Sequence, residues 1–596
     1  MKARGFSERV AADEARPASR ASSYTVRALA GRAPQTEAVW RTHDQAKSLH
    51  PTSKPLLPIL ALLVVGLACG PAAGAPTPTA APSAPVLPSM SPTGDRPFTI
   101  SVEYAILGVA EEYAAAGVSY AKLQDVFVIW ENVEPEPGEY HWGPLDAIVS
   151  EYQQAGFTGL QMDFTAKSPW ASSREPSLGD QGDTFPKEEY LDDYVAYVSA
   201  VVERYDNDGV DDMPGLVSPI HDYGIEREFT GYWPGSAEEY VRLLRLSYPA
   251  IKAADPDARV LLVALLMADV FDGNPTQDEI ERRLTRDIDY MRKSVPEIGA
   301  ILAACDAYDI VDFHALANYT EIPLTAAWIR GELQSNGCGE KPIWIGDAFP
   351  MSGMVGFGGF VPPTPFSPVT LETREAVVEL LKSVADPSSP DHDAARAWLY
   401  GEAAVGLVRK IVVSAGEGLL GINIGNMEDW KTGTAAIDKG TVPMLGASMF
   451  MGMTDTRVTN RMPGGELPLN GKHWAKAREA SNRRPAFYAL QLVNGKIGDF
   501  TSVRKLDLGE GIWAYEFETP QGPVWALWYD DGQLYLPGQT PPSVEVQLPF
   551  DAAQSIVSLT PSEFGTTEPA TSVVDSSAGA LSIVLDSVPI FVEAAP

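Results

Sequence analysis

Cysteine is scarce in this sequence, and positive charge is in short supply. Only three cysteines occur among 596 residues, which excludes a fold built on a framework of disulfide bonds. The 45 lysines and arginines are outnumbered by 79 aspartates and glutamates, giving a net charge of −34. So acidic a surface repels nucleic acid and anionic membranes, so we expect neutral ligands and no nucleic-acid partner.

Two further absences restrict the fold class. Neither a GxGxxG motif nor a P-loop occurs, which disfavours a nucleotide-binding, doubly wound sheet. No apolar run reaches the ~20 residues that a membrane-spanning helix needs. The chain is instead 45% apolar, with 13 Trp and 22 Tyr, which is enough for two to four domains with a large core.

The start of the chain has the features of an export signal. Residues 1–54 are polar, and residues 56–70 hold an apolar run of about a dozen residues, the length of a signal-peptide core. The run ends in LACG (67–70), which resembles a bacterial lipobox and implies lipidation of Cys69. A buried core helix is the alternative, which prolines at 51, 55 and 58 disfavour.

Residues 70–96 are rich in Pro, Ala, Thr and Ser, a composition typical of a disordered linker. We therefore predict an N-terminal extension and lipoprotein signal peptide over 1–69, with translation starting downstream of Met1 or with an overlong leading segment. The protein would be exported and held at the membrane only by its lipid. In that oxidising compartment Cys305 and Cys338 could pair, or they could remain buried free thiols.

From residue 98 onward, short apolar runs alternate with amphipathic stretches. The predicted strands are 98–102, 118–123, 158–164, a segment within 216–229, 259–266, 308–314, 341–347 and 418–424. The predicted helices are 110–116, 145–155, 188–205, 236–254, 276–304, 324–334, 371–385, 393–415 and 484–493. Eight strands, each followed by helix, predict an α/β fold, a (β/α)8 TIM barrel over residues 97–498 with its chemistry at the carboxyl ends of the strands.

The pattern changes to a period of two in the last hundred residues. Strands are predicted at 512–518, 524–529, 543–548 and 581–592, separated by turn residues. This pattern predicts an antiparallel β-sandwich domain over residues 499–596. Such a domain could bind carbohydrate or could be a structural appendage of the barrel.

Polar side chains end three of the predicted strands. Glu228 lies in IEREF (225–229), His314 ends the sixth strand, and Asp347 ends PIWIGD (342–347). In a barrel all three would lie at the same face. Two carboxylates so placed suggest acid and base chemistry on a sugar.

Five segments, taken in order, resemble clan A glycoside hydrolases such as families 5, 39 and 42. Residues 130–146, with the pattern WxxVEPxPGxYxWxxLD, resemble the loop after strand two in those enzymes. SPW (168–170) resembles their P-x-W motif, except that no residue separates the proline from the tryptophan. IERE (225–228) resembles I-E-N-E at strand four. DFH (312–314) resembles the strand-six histidine motif, and PIWIGD (342–347) resembles P-I-W-I-T-E at strand seven.

The resemblance covers most of residues 98–495 and implies a retaining glycosidase that acts on an oligo- or polysaccharide with neutral, β-linked sugars. It implies that Glu228 is the acid/base, that Asp347 is the nucleophile, and that His314 positions the nucleophile or a hydroxyl. It requires neither a metal nor a cofactor. It also implies aromatic residues that stack on sugar rings, namely Trp130, Trp170 and Trp430.

Two positions depart from the family pattern. Arg227 stands where the family has an asparagine that contacts a sugar hydroxyl, so we include Arg227 among the substrate-binding residues. Asp347 stands where the family has glutamate, and the missing methylene retracts its carboxylate by roughly 1.5 Å. The wider gap could admit water and give inversion, for which carboxyl groups lie about 6.5–9.5 Å apart.

The departures leave other functions open. The second hypothesis is a catalytically degenerate surface lipoprotein that has the same barrel and binds carbohydrate without cleaving it. A third possibility is a structural surface module with a closed top face. Carboxyl groups of Glu228 and Asp347 within about 6 Å of each other would favour the hydrolase, whereas an Arg227 guanidinium that fills the cleft would favour the binding protein.

Overall fold

The computed structural model describes residues 98–173, 184–231, 233–267, 270–271, 274–284, 293–351, 371–429, 447, 450–459, 461–462, 465–466, 477–577 and 579–596. The predicted lipoprotein signal with Cys69, the linker of residues 70–96 and Trp430 lie outside these ranges. None of the helices within the ranges combines the length and apolar character that crossing a bilayer requires.

Eight parallel strands close into a barrel in sequence order, with β8 paired to β1. They are β1 (Thr99–Ala105), β2 (Tyr120–Leu123), β3 (Gly159–Phe164), β4 (Asp222–Ile225), β5 (Arg259–Leu266), β6 (Ile310–Ala315), β7 (Ile343–Ala348) and β8 (Gly421–Ile424). The strands are buried on both faces, as expected where one face meets the barrel interior and the other meets helices. The predicted (β/α)8 barrel is confirmed.

The helices follow the predicted order, with one clear difference. They are α1 (Ala110–Ala115), α2 (Trp130–Val133), α3 (Gly143–Gln154), α4 (Leu191–Tyr205), α5 (Ala237–Ala254), α6 (Gln277–Leu284), α7 (Val295–Leu302), α8 (Ile322–Ser335), α9 (Leu371–Ala385), α10 (His392–Gly416) and α11 (Pro485–Ile497). The single helix predicted at 276–304 is wrong, because Ser294 and Glu297 form a capping box that begins a new helix at α7.

Strand four lies within the predicted segment of residues 216–229 but ends before Glu228. Only Asp222–Ile225 is extended, and Glu228 lies three residues beyond the strand. The backbone N–H groups of Gly231 and Trp233 both donate to the Glu228 carbonyl oxygen, at 3.0 and 3.3 Å. This turn means that a loop at the mouth of the barrel, and not the strand itself, carries the Glu228 side chain.

Antiparallel strands make up the rest of the described fold. Two small pairs precede α11: β9 (Asp455–Thr459) with β12 (Ala477–Ser481), and β10 (Arg461–Met462) with β11 (Gly465–Glu466). The later strands are β13 (Ser502–Lys505), β14 (Ile512–Thr519), β15 (Gly522–Tyr529), β16 (Val544–Pro549), β17 (Gln554–Leu559), β18 (Thr571–Asp575), β19 (Ala580–Leu585) and β20 (Ile590–Ala594).

The later strands form a C-terminal β-domain of two sheets. One sheet has six strands in the order β13-β14-β15-β20-β17-β18, and β16 pairs with β19 in the other. Trp525 and Leu527 of β15 cluster with Leu548 and Ile583 of the smaller sheet. The single strand predicted at 581–592 is two strands, because the Asp586 carboxylate accepts a hydrogen bond from the Val588 N–H group and turns the chain.

The β-domain shares one hydrophobic core with the barrel. The ring of Tyr319, which precedes α8, meets Trp513 and Trp528 edge-on with centroids 5.0 and 5.7 Å away. The Trp528 indole N–H group donates to the Tyr319 hydroxyl at 3.0 Å. Arg409 of α10 forms an ion pair with Asp530 at 3.5 Å. These contacts support the interpretation of the β-domain as an appendage that is fixed to the barrel.

Cys305 and Cys338 form a disulfide bond between the segments that follow α7 and α8. The bond links residues 33 positions apart. Closing a loop of that size in the unfolded chain is worth about 4 kcal/mol in a chain-entropy treatment.

We expect the double variant Cys305→Ser, Cys338→Ser to lose about 2–4 kcal/mol of unfolding free energy in urea. An unchanged urea midpoint, or equal sensitivity of both proteins to reductant, would contradict this role.

Candidate active site

Three buried side chains meet at the carboxyl ends of β4, β6 and β7. The His314 Nδ1 atom lies 2.5 Å from Glu228 Oε1 and 4.0 Å from Asp347 Oδ2. One carboxylate oxygen of Glu228 and one of Asp347 lie within 4.8 Å of each other. Each side chain is more than nine-tenths buried. The structure therefore brings together three side chains that are far apart in the sequence.

The loop that carries Glu228 is held in an uncommon backbone conformation. Glu226 has a φ of 60°, a left-handed value that non-glycine residues adopt rarely and mostly at functional sites. Two contacts with the end of β3 hold it there. The Glu226 N–H group donates to the Phe164 carbonyl at 2.7 Å, and the Glu226 carboxylate accepts from the Ala166 N–H group at 2.8 Å.

A second tie holds the same loop to β5. The Thr230 hydroxyl donates to the Leu266 carbonyl and accepts from the Leu266 N–H group, both at 2.9 Å. Together with the Glu226 contacts, this tie fixes the loop on both sides of Glu228. These contacts fix the backbone that carries Glu228, as a preorganised site requires.

His314 is a cation in this setting. Burial by itself would lower the pKa of the imidazole, but the negative charge of Glu228, its hydrogen bond, and the charges of Asp347 and Asp312 outweigh burial and raise the pKa to about 9. At neutral pH the imidazolium donates from Nδ1 to Glu228. The pair therefore holds a proton between a ring nitrogen and a carboxylate oxygen.

Asp312 lies below His314 on the same strand. Its Oδ1 atom accepts a hydrogen bond from the Gly346 N–H group at 3.0 Å and lies 3.7 Å from His314 Nε2. Burial raises the pKa of Asp312 to about 7, although the positive charges of His314 and Lys122 oppose that rise. Asp312 therefore lies close enough to interact with the charge of His314, but no hydrogen bond joins the two side chains.

Gly346 leaves the space that the Asp312 carboxylate fills. A Cβ atom at residue 346 would lie 1.8 Å from Asp312 Oδ2, so alanine cannot be accommodated unless the buried Asp312 carboxylate moves. We expect Gly346→Ala to lower the melting temperature, with a loss of about 1–3 kcal/mol of unfolding free energy, and to lower activity. Gly331→Ala in α8 is the matched control, because no atom lies within 4 Å of its added Cβ. Equal melting temperatures for the two variants would contradict this role.

A polar layer fills the barrel interior beneath the site. The Lys122 ammonium group donates to the Gly346 carbonyl at 2.7 Å, and the Asn423 amide donates to the same oxygen at 3.1 Å. Asn423 also donates to Gln161, whose amide donates to Asp163 at 2.9 Å. The network fixes the end of β7, and the Lys122 charge lies among acidic groups that include Asp347.

Sequence reasoning missed two ionisable residues of the site. Glu103 of β1 is fully buried, and burial and the negative charge of Asp347 raise the pKa of its carboxyl well above the ordinary value. Lys410 of α10 donates to the Ala315 carbonyl at 2.6 Å, and burial lowers its pKa to about 7. Their signal in the sequence was a charged residue inside an otherwise apolar strand or buried helix face.

Arg227 is partnered by a residue outside the predicted site. Its guanidinium forms an ion pair with Asp125 at 3.1 Å, and both side chains are 18% exposed. Asp125 begins the short helical turn that follows β2. Arg227 directly precedes Glu228 in the same loop. Its contact with substrate stays a prediction.

The two predicted stacking tryptophans that the structure describes lie in the aromatic core beside the barrel mouth. Trp130 has no exposed surface, stacks on Tyr197 at 5.6 Å and donates from its indole nitrogen to Glu134 at 2.6 Å. It therefore offers no free face to a sugar. Trp170 is partly exposed and meets the Trp130 ring edge-on at 4.9 Å, so one of its surfaces faces solvent.

The donor atoms of Glu228, His314 and Asp347 are close enough to one another to surround a metal ion. A metal would need the imidazole nitrogen free of its proton. Here the His314 Nδ1 atom is hydrogen-bonded to Glu228 at 2.5 Å, so a metal would have to displace that proton. Asp206, Asp208 and Asp212 form a second acidic group, on the loop after α4.

No family model and no curated protein matches the chain. Among solved structures, a family 39 glycoside hydrolase from Bacteroides cellulosilyticus WH2 is 12% identical over 84% of this chain and 81% of its own, with a TM-score of 0.48. A glucosidase from Croceicoccus marinus is 10% identical over 85% and 97%, with a TM-score of 0.46. A monomeric beta-xylosidase from Caulobacter crescentus CB15 is 13% identical over 85% and 98%, with a TM-score of 0.45. At identities and TM-scores this low, the chemistry has to be argued from this chain's own side chains.

Proposed function

We propose that the protein is a glycoside hydrolase that cleaves O-glycosidic bonds with Glu228 as acid/base and Asp347 as nucleophile. The observation that carries the proposal is the approach of the two carboxylates to within 4.8 Å, at the carboxyl ends of the barrel strands. Barrel enzymes hold their catalytic groups at this face. A pair of carboxylates at this spacing is the arrangement that glycoside cleavage uses.

The spacing favours a double displacement with net retention. Carboxyl groups in retaining enzymes lie about 5–5.5 Å apart, and those in inverting enzymes about 6.5–9.5 Å apart, because the wider gap must hold a water molecule. One oxygen of Glu228 and one of Asp347 lie within 4.8 Å of each other, and this approach agrees better with the retaining arrangement than with the inverting one.

The first chemical step breaks the glycosidic bond. Asp347 Oδ attacks the anomeric carbon, the bond from that carbon to the leaving oxygen breaks, and the leaving oxygen takes the proton that His314 and Glu228 share. Glu228 is then a carboxylate and Asp347 is an ester of the sugar. The His314 imidazolium, 2.5 Å from Glu228, supplies the charge that makes this proton available.

The second step releases the sugar. Glu228 takes a proton from water, the water oxygen attacks the anomeric carbon, and the bond to Asp347 breaks with the electron pair returning to the carboxylate. Lys122, which donates to the carbonyl of the neighbouring Gly346, places positive charge close to that returning negative charge. The proton gained by Glu228 restores the starting state.

We propose neutral, β-linked oligo- or polysaccharides as substrates. The net charge of −34 disfavours polyanionic glycans, since both would be negative at neutral pH. The β-linkage rests on the resemblance of the strand-end motifs to clan A enzymes. Incubating the full chain with a panel of aryl β-glycosides, and following product anomers by proton NMR, tests the proposal: β-product formed first supports it, and α-product formed first contradicts retention.

A sugar-binding protein without catalysis is the second candidate. The observation that favours it is the salt bridge between His314 and Glu228, because a carboxylate paired with an imidazolium is a poorer proton donor than a free acid. Turnover of any substrate in the panel would reject this candidate. Glycan binding without turnover would support it over the hydrolase.

We also propose that the protein is exported and anchored through a lipid on Cys69. The disulfide between Cys305 and Cys338 supports an oxidising compartment. Expression in a bacterium supplied with an alkyne fatty acid should label the wild type, whereas Cys69→Ser should stay unlabelled and be released from the membrane fraction. Labelling of Cys69→Ser would contradict the anchor.

A further inference from the structure

Glu103 is a third carboxyl beside the two proposed catalytic ones, and the two-step mechanism leaves it without a role. It follows Val102 on β1, and its backbone N–H group donates to the Gly425 carbonyl at 3.4 Å, just beyond β8. Ile424 of β8 pairs in turn with Ala348 of β7. The strand register therefore places Glu103 within two residues of the level of Asp347, and the two side chains are close enough to share a hydrogen bond.

The Glu103 side chain is fully buried, and neither of its carboxyl oxygens has a hydrogen bond of ordinary length among the described residues. The Oδ1 atom of Asp347 is also buried, and it too has no hydrogen-bond partner among the described residues. The ionisable groups that interact with Glu103 through charge or a hydrogen bond are Asp347 from β7, Lys122 from β2, Lys410 from α10, Tyr113 from α1 and the adjacent Tyr104.

Burying an ionised carboxylate costs more than burying a neutral acid, and chiefly the charge of Lys122 and a hydrogen bond from Tyr104 favour the ionised form of Glu103. Lys122 forms no ion pair with Glu103 among the described residues, and its ammonium group donates to the Gly346 carbonyl at 2.7 Å. Lys410 likewise donates to the Ala315 carbonyl. Two facing carboxyls with unpartnered oxygens and no bonded cation are satisfied together when one proton lies between them, as in other coupled carboxyl pairs.

We propose that Glu103 is a positioning residue that stays protonated and donates its proton to Asp347, holding the shortened nucleophile in place. This inference rests on the proposed function, since it assigns the partner of the proposed nucleophile. Burial and the negative charge of Asp347 raise the pKa of Glu103 well above its ordinary value, which agrees with the geometry.

The strength of the hydrogen bond from Glu103 to Asp347 changes during the reaction, because the charge of Asp347 changes. Asp347 is an ester in the covalent intermediate and regains its negative charge as the sugar leaves. A donor aimed at its oxygen is therefore stronger in the second transition state than in the intermediate, and it accelerates that step. No proton is transferred permanently, so Glu103 ends the cycle as it began.

Two substitutions distinguish a protonated Glu103 that donates to Asp347 from an ionised Glu103 that balances the charge of Lys122. Glu103→Gln keeps the shape and a donor, and we expect kcat within about fivefold of wild type, whereas Glu103→Leu removes the donor and should lower kcat about a hundredfold with KM little changed. If Glu103 were instead an ionised partner of Lys122, glutamine would be as damaging as leucine. That result would overturn the proposal.

An infrared measurement tests the proton without requiring catalysis. At pH 8, where Asp312 with its pKa of about 7 is mostly ionised, the wild type should show a protonated-carboxyl stretch that Glu103→Gln lacks. An unchanged band in Glu103→Gln would overturn the proposal even if the enzyme turns over. A lost band in a chain that cleaves no glycoside would instead reject the proposed hydrolase and keep the protonated Glu103.

Discussion

Asp347→Asn is expected to lower kcat for hydrolysis on the order of 10⁴-fold, equivalent to about 5 kcal/mol of transition-state stabilisation. Asparagine keeps the size of the side chain but cannot form the ester to the anomeric carbon. Initial rates on an aryl β-glycoside measure the effect. Glu131→Gln is the matched control, because Glu131 is a carboxylate of the α2 loop that pairs with Lys167 at 2.8 Å and should leave kcat unchanged.

Glu228→Gln should show a different signature at the partner carboxylate. Loss of the general acid costs about 10²- to 10⁴-fold when the leaving group needs a proton, and much less when the leaving group is a stable phenolate. Asp347→Gly with added azide should form an α-glycosyl azide, since azide then attacks from the face that Asp347 occupied. Equal losses on all leaving groups, or a β-azide product, would contradict the assigned roles.

His314→Gln is the second change for which we expect a large effect. It removes the imidazolium that lies 2.5 Å from Glu228 and 4.0 Å from Asp347, and should lower kcat about a hundredfold or more. In the wild type, activity should fall as pH rises through about 9, the pKa of His314. The alkaline limb of the profile should move in the variant. An unchanged limb would show that His314 does not hold the proton.

Stability should depend on pH through the same residue. The pKa of His314 rises from 6.5 when unfolded to about 9 in the folded chain, so the folded state binds more protons between these values. The stabilisation is fully present below pH 6.5 and is lost as pH rises through 9, by an amount on the order of 3 kcal/mol. Melting temperatures from pH 6 to 10 should fall less steeply in His314→Gln than in the wild type.

The sequence could predict the barrel because the alternation of apolar strands and amphipathic helices is a local pattern. β5 was predicted at its observed bounds, Arg259–Leu266, since a nearly continuous apolar run is typical of a strand buried on both faces. The fourth strand lies within the predicted segment of residues 216–229, but the sequence does not reveal that it ends at Ile225, before the turn around the Glu228 carbonyl. Tertiary hydrogen bonds decided that boundary.

The motifs predicted that Glu228, His314 and Asp347 lie at one face, and the structure places them in contact. Two features could not be read from motifs. Trp130 was expected to stack on a sugar, yet the Glu134 carboxylate and the Tyr197 ring hold it in the core. Glu103 was overlooked because a lone acid at the end of an apolar strand has meaning only once the barrel closes β1 beside β8 and brings it to Asp347.

Trapping the covalent intermediate tests the central claim most directly. A 2-deoxy-2-fluoro aryl glycoside of the sugar that the enzyme turns over should glycosylate the Asp347 carboxylate with loss of the aryl oxide, and the glycosyl-enzyme should hydrolyse slowly, because the fluorine destabilises both transition states. Mass spectrometry of the digested protein should find one added fluorosugar on the peptide that contains Asp347, and none in Asp347→Asn. A label on Glu228 or Glu103, or turnover without any label, would contradict the assignment of Asp347 as the nucleophile.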